Sequence, residues 1–195
     1  AKRLYEAFLP SGSGIFGVHE MPEDIIPSGM KRGSREHLLF LTLTVSINYK
    51  RGADVLWKSA GDAWKDPATR YLFEPEEVIR RPLARVIADL RRSGVSLRQN
   101  RDGRTWFTIA RVLATKWRGD PRNFLASCDY HASTILRRLS DDRHEDENGN
   151  LHPDFPLLKG PKIGPLWVRA LRDNAGVELK GLTDVPIPVD VHVLR

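Results

Sequence analysis

A long apolar stretch in the first quarter of the chain precedes a segment with helical spacing. Residues 38–47, LLFLTLTVSI, are apolar on all sides and include several β-branched residues, a pattern typical of either a buried strand or a buried helix. Ser34 precedes the stretch as a capping residue, and Glu36 is close enough to assist. The continuation YKRGADVLWKSAGDAW carries apolar residues at helical spacing. We therefore predict a buried helix, a turn over residues 48–52, and a second helix.

Three later segments predict further helices. EPEEVIRRPLARVIADLRRSG begins with acids and ends with arginines before Gly94, as the helix dipole and the C-terminal glycine preference favour, and Pro82 separates a short helix from a longer one. GRTWFTIARVLATKWRGDP places its large apolar residues on one face, and DPRNFLASCDYHASTILRRLS carries a third amphipathic pattern. The polar run DDRHEDENGN predicts an exposed loop, and the glycine-, serine- and proline-rich residues 1–34 predict a loop-rich segment.

The composition limits the classes of protein to which the chain can belong. Its 195 residues, 41% hydrophobic and 29% charged, are typical of a soluble globular protein. No stretch approaches the roughly 18 apolar residues of a membrane span, and the N-terminal segment lacks the apolar core of a signal peptide. We therefore expect a cytoplasmic protein, and we expect it to be monomeric. The single cysteine, Cys128, excludes an internal disulfide and cannot alone hold a zinc ion or an iron–sulfur cluster.

The charge balance favours an anionic partner. The chain has 31 Lys and Arg residues against 25 Asp and Glu residues, a net charge of +6, which suits nucleic acid. It equally suits a soluble protein from an arginine-rich proteome. Arginines cluster around a predicted turn between helices, where they predict a surface for a phosphate backbone or, alternatively, a solvated basic loop. They are Arg91, Arg92, Arg98, Arg101 and Arg104.

A glycine-containing turn is predicted in LLKGPKIGPLWVRAL. Gly160 and Gly164 delimit a tight connection, and Pro165 suits the first position of the helix that follows. Glycines let a backbone approach a ligand closely, and unpaired N–H groups at a helix N-terminus attract phosphate. Lys159 and Lys162 add positive charge at the same place. The pattern predicts a helix, a hairpin and a second helix that together bind phosphate, or an αα-hairpin whose glycines only turn the chain.

The chain ends in PIPVDVHVLR, in which a carboxylate interrupts an apolar run. A buried carboxylate without a partner is costly, so Asp190 is expected to be paired or to be used in chemistry. The alternative is a helix cap for the residues that follow. His192 is interpreted as a packing or capping residue, and the other histidines show no spacing typical of metal ligands.

Three stretches together resemble the helix–hairpin–helix DNA glycosylase superfamily, which includes endonuclease III, the adenine glycosylases and the 8-oxoguanine glycosylases. They are LFLTLTVSINYKRGADVLWKSA, LLKGPKIGPLWVRAL and PIPVDVHVLR, in the family's order over residues 39–195. The resemblance implies an all-α fold in which two helical lobes flank a DNA-binding cleft. A single domain would cover residues 1–195, with the loop-rich segment at 1–34, a helical lobe at 35–140, and the hairpin and catalytic segment at 152–195.

The resemblance implies a base-excision repair enzyme that cleaves the N-glycosidic bond of a damaged or mismatched base in duplex DNA. Asp190 falls on the family's catalytic aspartate, which stabilises positive charge on the deoxyribose and orients an attacking water. Asn48 falls where the family fills the gap left by a flipped base, and Tyr49 can stack there; alternatively, Asn48 only permits a turn. The implied DNA-binding residues are Asn48, Tyr49, Lys159, Gly160, Lys162 and Gly164.

Departures from the family pattern affect the expected chemistry. Leu166 occupies the position where members with lyase activity carry a Schiff-base lysine, so the chain resembles a monofunctional enzyme that uses water. Lys162 is the nearest alternative amine, for a lyase with a displaced lysine. The hairpin reads Lys-Ile-Gly where the common pattern is Gly-hydrophobic-Gly; a monovalent cation there is the single bound ion that the resemblance suggests, and no cofactor is expected.

The family continues past the position of Arg195 with further helices and, in some members, an iron–sulfur loop. The resemblance therefore implies a fragment or a short form, without such a cluster in this chain. Two alternatives to a glycosylase stay open: a helix–hairpin–helix module that binds DNA without chemistry, and an unrelated helical protein.

Overall fold

The computed structural model describes residues 21–186, and residues 1–20 and 187–195 lie outside the described part. The described chain is mainly helical, with eight α-helices and a pair of short β-strands. The helices are α1 (Arg35–Ser46), α2 (Ala53–Lys65), α3 (Pro75–Ile79), α4 (Leu83–Arg92), α5 (Gln99–Lys116), α6 (Pro121–Ser127), α7 (Ala132–Asp141) and α8 (Ile163–Asp173). The strands are β1 (Arg143–Glu145) and β2 (Leu151–Pro153). The predicted helical character is confirmed.

Helix α1 is the buried centre of the fold. The hydroxyl of Ser34 accepts the N–H of His37 at 3.3 Å and caps the helix, as predicted. Every residue from His37 to Ser46 is buried, which explains why the apolar stretch has no amphipathic period. A turn then leads to α2, which buries one face. The predicted buried helix, turn and second helix are confirmed.

The next helices also form where they were predicted. Helix α3 ends at Ile79 and α4 begins at Leu83, because Pro82 lacks an N–H and cannot continue the first helix. Helix α5 packs against both α3 and α4. Trp106 of α5 is fully buried, and its indole N–H donates to the carbonyl of Leu72 at 2.7 Å.

Between α5 and the end of β2, two details of the sequence interpretation are wrong. The segment predicted as one amphipathic pattern divides into α6 and α7, because Asp129 and Tyr130 both have φ of 55° in the left-handed region. The segment predicted as an exposed loop, residues 141–150, contains β1 and the turn that leads to β2, and the two strands pair antiparallel with His144 opposite His152. The carboxylate of Asp146 accepts backbone N–H groups within the connecting turn, which stabilises the hairpin.

Helices α1 and α8 pack antiparallel, and this pairing determines which turns meet. Before α1, the guanidinium of Arg32 donates to the carbonyls of Asp173 at 2.6 Å and Asn174 at 2.8 Å, at the end of α8. Midway along the pair, the indole N–H of Trp167 donates to the hydroxyl of Thr42 at 3.0 Å. The start of α1 therefore lies beside the end of α8, and the end of α1 beside the start of α8.

The buried apolar residues of the described part form one continuous cluster. It extends from Met30 to Ala175 and includes residues of both segments that the resemblance separates, 35–140 and 152–195. Its aromatic rings are in mutual contact, for example Phe73 with Trp106 at 5.3 Å between centroids. Among residues 21–186, every helix is too short or too polar to cross a membrane.

Candidate nucleic-acid interface

The turn between α1 and α2 presents two polar side chains. The N–H of Asn48 donates to the carbonyl of Val45 at 3.0 Å, and that of Tyr49 to Ile47 at 2.9 Å. Lys50 then has φ of 50°, which turns the chain toward α2. The side chains of Asn48 and Tyr49 are half-buried. In the part of the chain that the structure describes, the side-chain amide of Asn48 has no hydrogen-bond partner, so it is available to a ligand.

Tyr49 contacts the arginines at the start of α5. The guanidinium carbon of Arg101 lies 5.0 Å from the centroid of the Tyr49 ring, and that of Arg98 lies 5.7 Å away. Arg98 also donates to the carbonyl of Tyr49 at 3.0 Å. Exposed cation–π contacts contribute about 0.5–1 kcal/mol each, so the ring is held in place. The structure thus brings together two features that the sequence indicated separately.

Asp102 fixes the backbone that presents Arg98. Its carboxylate is 3% exposed and accepts the N–H groups of Leu97 at 2.9 Å and Arg98 at 2.8 Å. An acid at this position also compensates the positive end of the α5 dipole. The role of this buried acid is therefore to hold the loop that carries the basic side chains.

The segment before α8 differs from the predicted helix. Residues 154–162 form successive turns, because Pro156 lacks an N–H and Leu157 has φ of 63°. The prediction of a helix on both sides of the glycine turn is therefore wrong for the described chain. Helix α8 begins at Ile163, so Pro165 occupies its first turn rather than its first position.

The glycines of this turn are required by close packing. A Cβ on Gly164 would lie 2.9 Å from the carbonyl oxygen of Leu158 and 3.1 Å from a methyl carbon of Leu136. A Cβ on Gly160 would lie 3.1 Å from the carbonyl oxygen of Leu157. The N–H of Gly164 donates to the carbonyl of Gly160 at 3.0 Å, so this amide is already engaged within the turn.

The two predicted DNA-contacting turns lie at one end of the molecule. Thr42 of α1 lies opposite Trp167 of α8. Because the helices are antiparallel, four residues further along α1, about 6 Å, Ser46 lies opposite Ile163 at the start of α8. The turn after α1 and the turn before α8 therefore face the same side. At the second turn, Lys159 is exposed and Lys162 is half-buried.

An open groove begins at this end and runs along α5. It has a volume of about 610 Å³ and lies between α5 and the β-hairpin. Arg101, which contacts Tyr49, and Leu157, which precedes Lys159, both line it. Two further lining residues, Arg111 and His144, were not predicted as part of an interface.

A sequence signal for these groove residues existed in two places. Arg111 follows Arg104 by seven residues, which puts both on one face of a helix. The dipeptide formed by Asn148 and Gly149 is typical of a hairpin turn, and a hairpin at this position places His144 and His152 on adjacent strands.

The other predicted site residues have different outcomes. Asp190 and His192 lie outside the described residues. Arg91 and Arg92 are both exposed, and Arg92 forms an ion pair at 3.1 Å with the buried carboxylate of Asp89. Within residues 21–186, no group of three or more His, Cys, Asp or Glu side chains is arranged to hold a metal ion.

Comparisons with protein-family models, with curated proteins and with solved structures give no match to this chain. The resemblance to the helix–hairpin–helix glycosylases therefore stays a prediction from the three motifs.

Proposed function

We propose that this protein is a monofunctional DNA glycosylase that removes a damaged or mismatched base from duplex DNA. The observation that supports the proposal most is the antiparallel packing of α1 and α8. It brings the turn of Asn48 and Tyr49 to the same end as the turn of Lys159 and Lys162, although more than a hundred residues separate them in the chain.

The first turn is suited to the gap that a flipped base leaves. Extruding a base costs a few kcal/mol of lost stacking and pairing, so a side chain must occupy the gap. The amide of Asn48 can donate to and accept from an orphan base. The ring of Tyr49 is already held by Arg98 and Arg101, so little ordering of this side chain is needed when DNA binds.

The second turn is suited to the phosphate backbone. Lys159 is exposed at the turn, and Lys162 lies at the N-terminus of α8, where the helix dipole is positive. Gly164 allows the chain to pack closely against Leu158 and so fixes the direction in which the turn projects.

The chemistry is assigned to Asp190. As the bond between C1′ and the base nitrogen breaks, its electron pair leaves with the base and the sugar becomes cationic. A carboxylate beside C1′ stabilises that charge and accepts a proton from the water that bonds to C1′. Leu166 cannot form a Schiff base, so the reaction ends with an intact abasic strand.

A second candidate is a DNA-binding module without chemistry. It is favoured by one observation: the contacts among Tyr49, Arg98 and Arg101 form a basic surface that does not depend on Asp190. The two candidates share the same interface and differ only in whether a base is released.

Excision on defined duplexes tests both candidates. Each duplex carries one uracil, one oxidised base, one alkylated purine or one mismatch, and products are separated on denaturing gels with and without hot alkali. Strand breaks only after alkali are expected. Asp190→Asn should abolish them, whereas Asp184→Asn, which changes an exposed acid nearby in the chain, should not.

Other results contradict specific parts of the proposal. Breaks without alkali would indicate a lyase that uses an amine such as Lys162. Salt-sensitive binding without product on any lesion would support the module. Absence of binding at low salt would contradict both candidates.

A further inference from the structure

The groove between α5 and the β-hairpin is lined by three arginines and two histidines, together with neutral and apolar side chains. Its polar lining comes from α5 and from the two strands and their turn, and among residues 21–186 Asp146 is the only acid in that lining. The polar residues are Arg101, Arg104, Thr105, Thr108, Arg111, His144, Asp146 and His152.

The arginines of α5 share one helical face. Arg104 and Arg111 follow Arg101 by three and ten residues, and at 100° per residue all three lie within about 80° of one another. Together they span about 15 Å along the helix axis. In the described part of the chain, no carboxylate forms an ion pair with Arg101 or Arg104. These charges are therefore available to an anionic ligand.

Arg111 is held in the groove by a hydrogen-bond relay that runs through His144 to the buried carboxylate of Asp154. Its guanidinium donates to Nε2 of His144 at 2.5 Å, and Nδ1 of His144 lies 3.0 Å from the carboxylate of Asp154. Asp154 is completely buried and also accepts Lys116 at 2.7 Å. Because arginine can only donate, Nε2 must be the acceptor, and the proton of the neutral imidazole lies on Nδ1. The relay thus fixes the position of the Arg111 guanidinium.

The acid in the lining does not oppose the arginines. The carboxylate of Asp146 pairs with Nε2 of His152 at 2.9 Å and accepts the N–H groups of Asn148 and Asn150. Hydrogen bonds from His152 and Asn150 hold its pKa well below the usual range, so it stays ionised and bound within the hairpin. The negative charge of Asp146 is therefore compensated within the hairpin and not by the arginines of α5.

We infer that this groove binds the sugar-phosphate backbone of the duplex beside the lesion. The inference rests on the proposed function and extends it from the lesion to its flank. Phosphates follow one another at about 3.4 Å of rise per strand in B-DNA, so a 15 Å row of arginines faces about four of them. Continuity favours DNA over an acidic peptide, because Arg101 belongs both to the groove and to the Tyr49 contact.

Salt-dependent binding to two lengths of duplex tests the inference. One abasic-site duplex is just long enough to contact the two turns at the lesion. The other is longer by one helical turn on each side and can also reach the groove. The double variant Arg104→Gln/Arg111→Gln is compared with Lys31→Gln, which removes an exposed charge before α1, at the opposite end of the molecule. Thermal unfolding shows whether each variant is folded. The single variant Arg104→Gln, at an exposed site, is measured as well, so that the test does not depend on the folding of the double variant.

The expected change is specific to the long duplex. Each lost phosphate contact lowers the slope of log K against log salt by about 0.9, so the double variant should lose about 1.8. Between 1 M and 0.1 M salt, the affinity of the double variant should therefore rise by about 60-fold less than the affinity of the wild type. Arg104→Gln should lose about half of the slope change, and Lys31→Gln should retain the wild-type slope.

Two results would overturn the inference. Equal slopes for the double variant and wild type on the long duplex would show that the groove does not contact DNA, even if excision proceeds. Groove-dependent binding of polyglutamate in place of DNA would assign the groove to an acidic peptide. Failure of the proposed glycosylase is seen separately, as absence of base release by wild type on every lesion-bearing duplex of the excision assay.

Discussion

Gly164→Ala tests how the turn before α8 is built. The new methyl would lie 2.9 Å from the carbonyl oxygen of Leu158, a backbone atom, and 3.1 Å from a methyl of Leu136. Overpacking of this kind costs about 1–3 kcal/mol, and the better helix propensity of alanine offsets about 1 kcal/mol. We expect a net loss of up to about 2 kcal/mol in the free energy of unfolding.

Thermal unfolding followed by circular dichroism measures this loss. For a chain of this size, 1 kcal/mol shifts Tm by about 2–4 °C, so a decrease of up to about 8 °C is expected. Gly61→Ala in α2 is the matched control, because its Cβ would meet no atom within 4 Å and Gly61 is also helical. It should raise Tm. If Gly164→Ala behaves like Gly61→Ala, the close packing of the turn is refuted.

Further predictions concern the helix pair and the first turn. Thr42→Val should lower the free energy of unfolding by about 1–3 kcal/mol in urea titrations, because it leaves the buried indole N–H of Trp167 without its acceptor; unchanged stability would contradict this role. Burial lowers the pKa of His37 to about 4, and its Nδ1 accepts the N–H of Gly33. The native state therefore binds fewer protons than the unfolded chain between about pH 4 and 6.5, so stability should fall by about 1–2 kcal/mol from pH 7 to pH 5, and His37→Gln should lack this component. Tyr49→Ala should weaken binding to abasic-site duplex by about 1–3 kcal/mol without changing Tm by more than a few degrees, as fluorescence anisotropy and thermal unfolding can show; equal affinity would exclude stacking by Tyr49.

The helices could be predicted where the cause is local. Pro82 ends α3 because it lacks an N–H, and Ser34 caps α1 with its own hydroxyl. The apolar run of α1 predicted an element buried on every side, although its pattern alone did not distinguish a helix from a strand. These signals depend on a few neighbouring residues and need no knowledge of the tertiary structure.

The division between α6 and α7 could not be predicted in the same way. It depends on two consecutive non-glycine residues, Asp129 and Tyr130, in the left-handed region. Such a conformation is costly locally and is stabilised by tertiary contacts. One of them is the hydrogen bond from the backbone N–H of Lys180 to the carbonyl of Tyr130 at 2.8 Å. No neighbouring residue indicates those contacts.

The assembly of the candidate interface is also a tertiary result. Asn48, Tyr49, Lys159 and Lys162 were predicted as DNA contacts from resemblance, but their proximity follows from the antiparallel register of α1 and α8. The relay of His144 and Asp154 could not be predicted, because it joins a strand to a residue that the sequence marks only as one acid among many.

Hydrogen–deuterium exchange with and without an abasic-site duplex tests the central claim most directly. The account predicts slower exchange in both turns, residues 46–50 and 159–164, and at the start of α5. It predicts unchanged exchange at the opposite end of the helix pair, around residues 31–34 and 172–176. Protection of only one turn, or protection at the opposite end, would contradict a shared DNA interface.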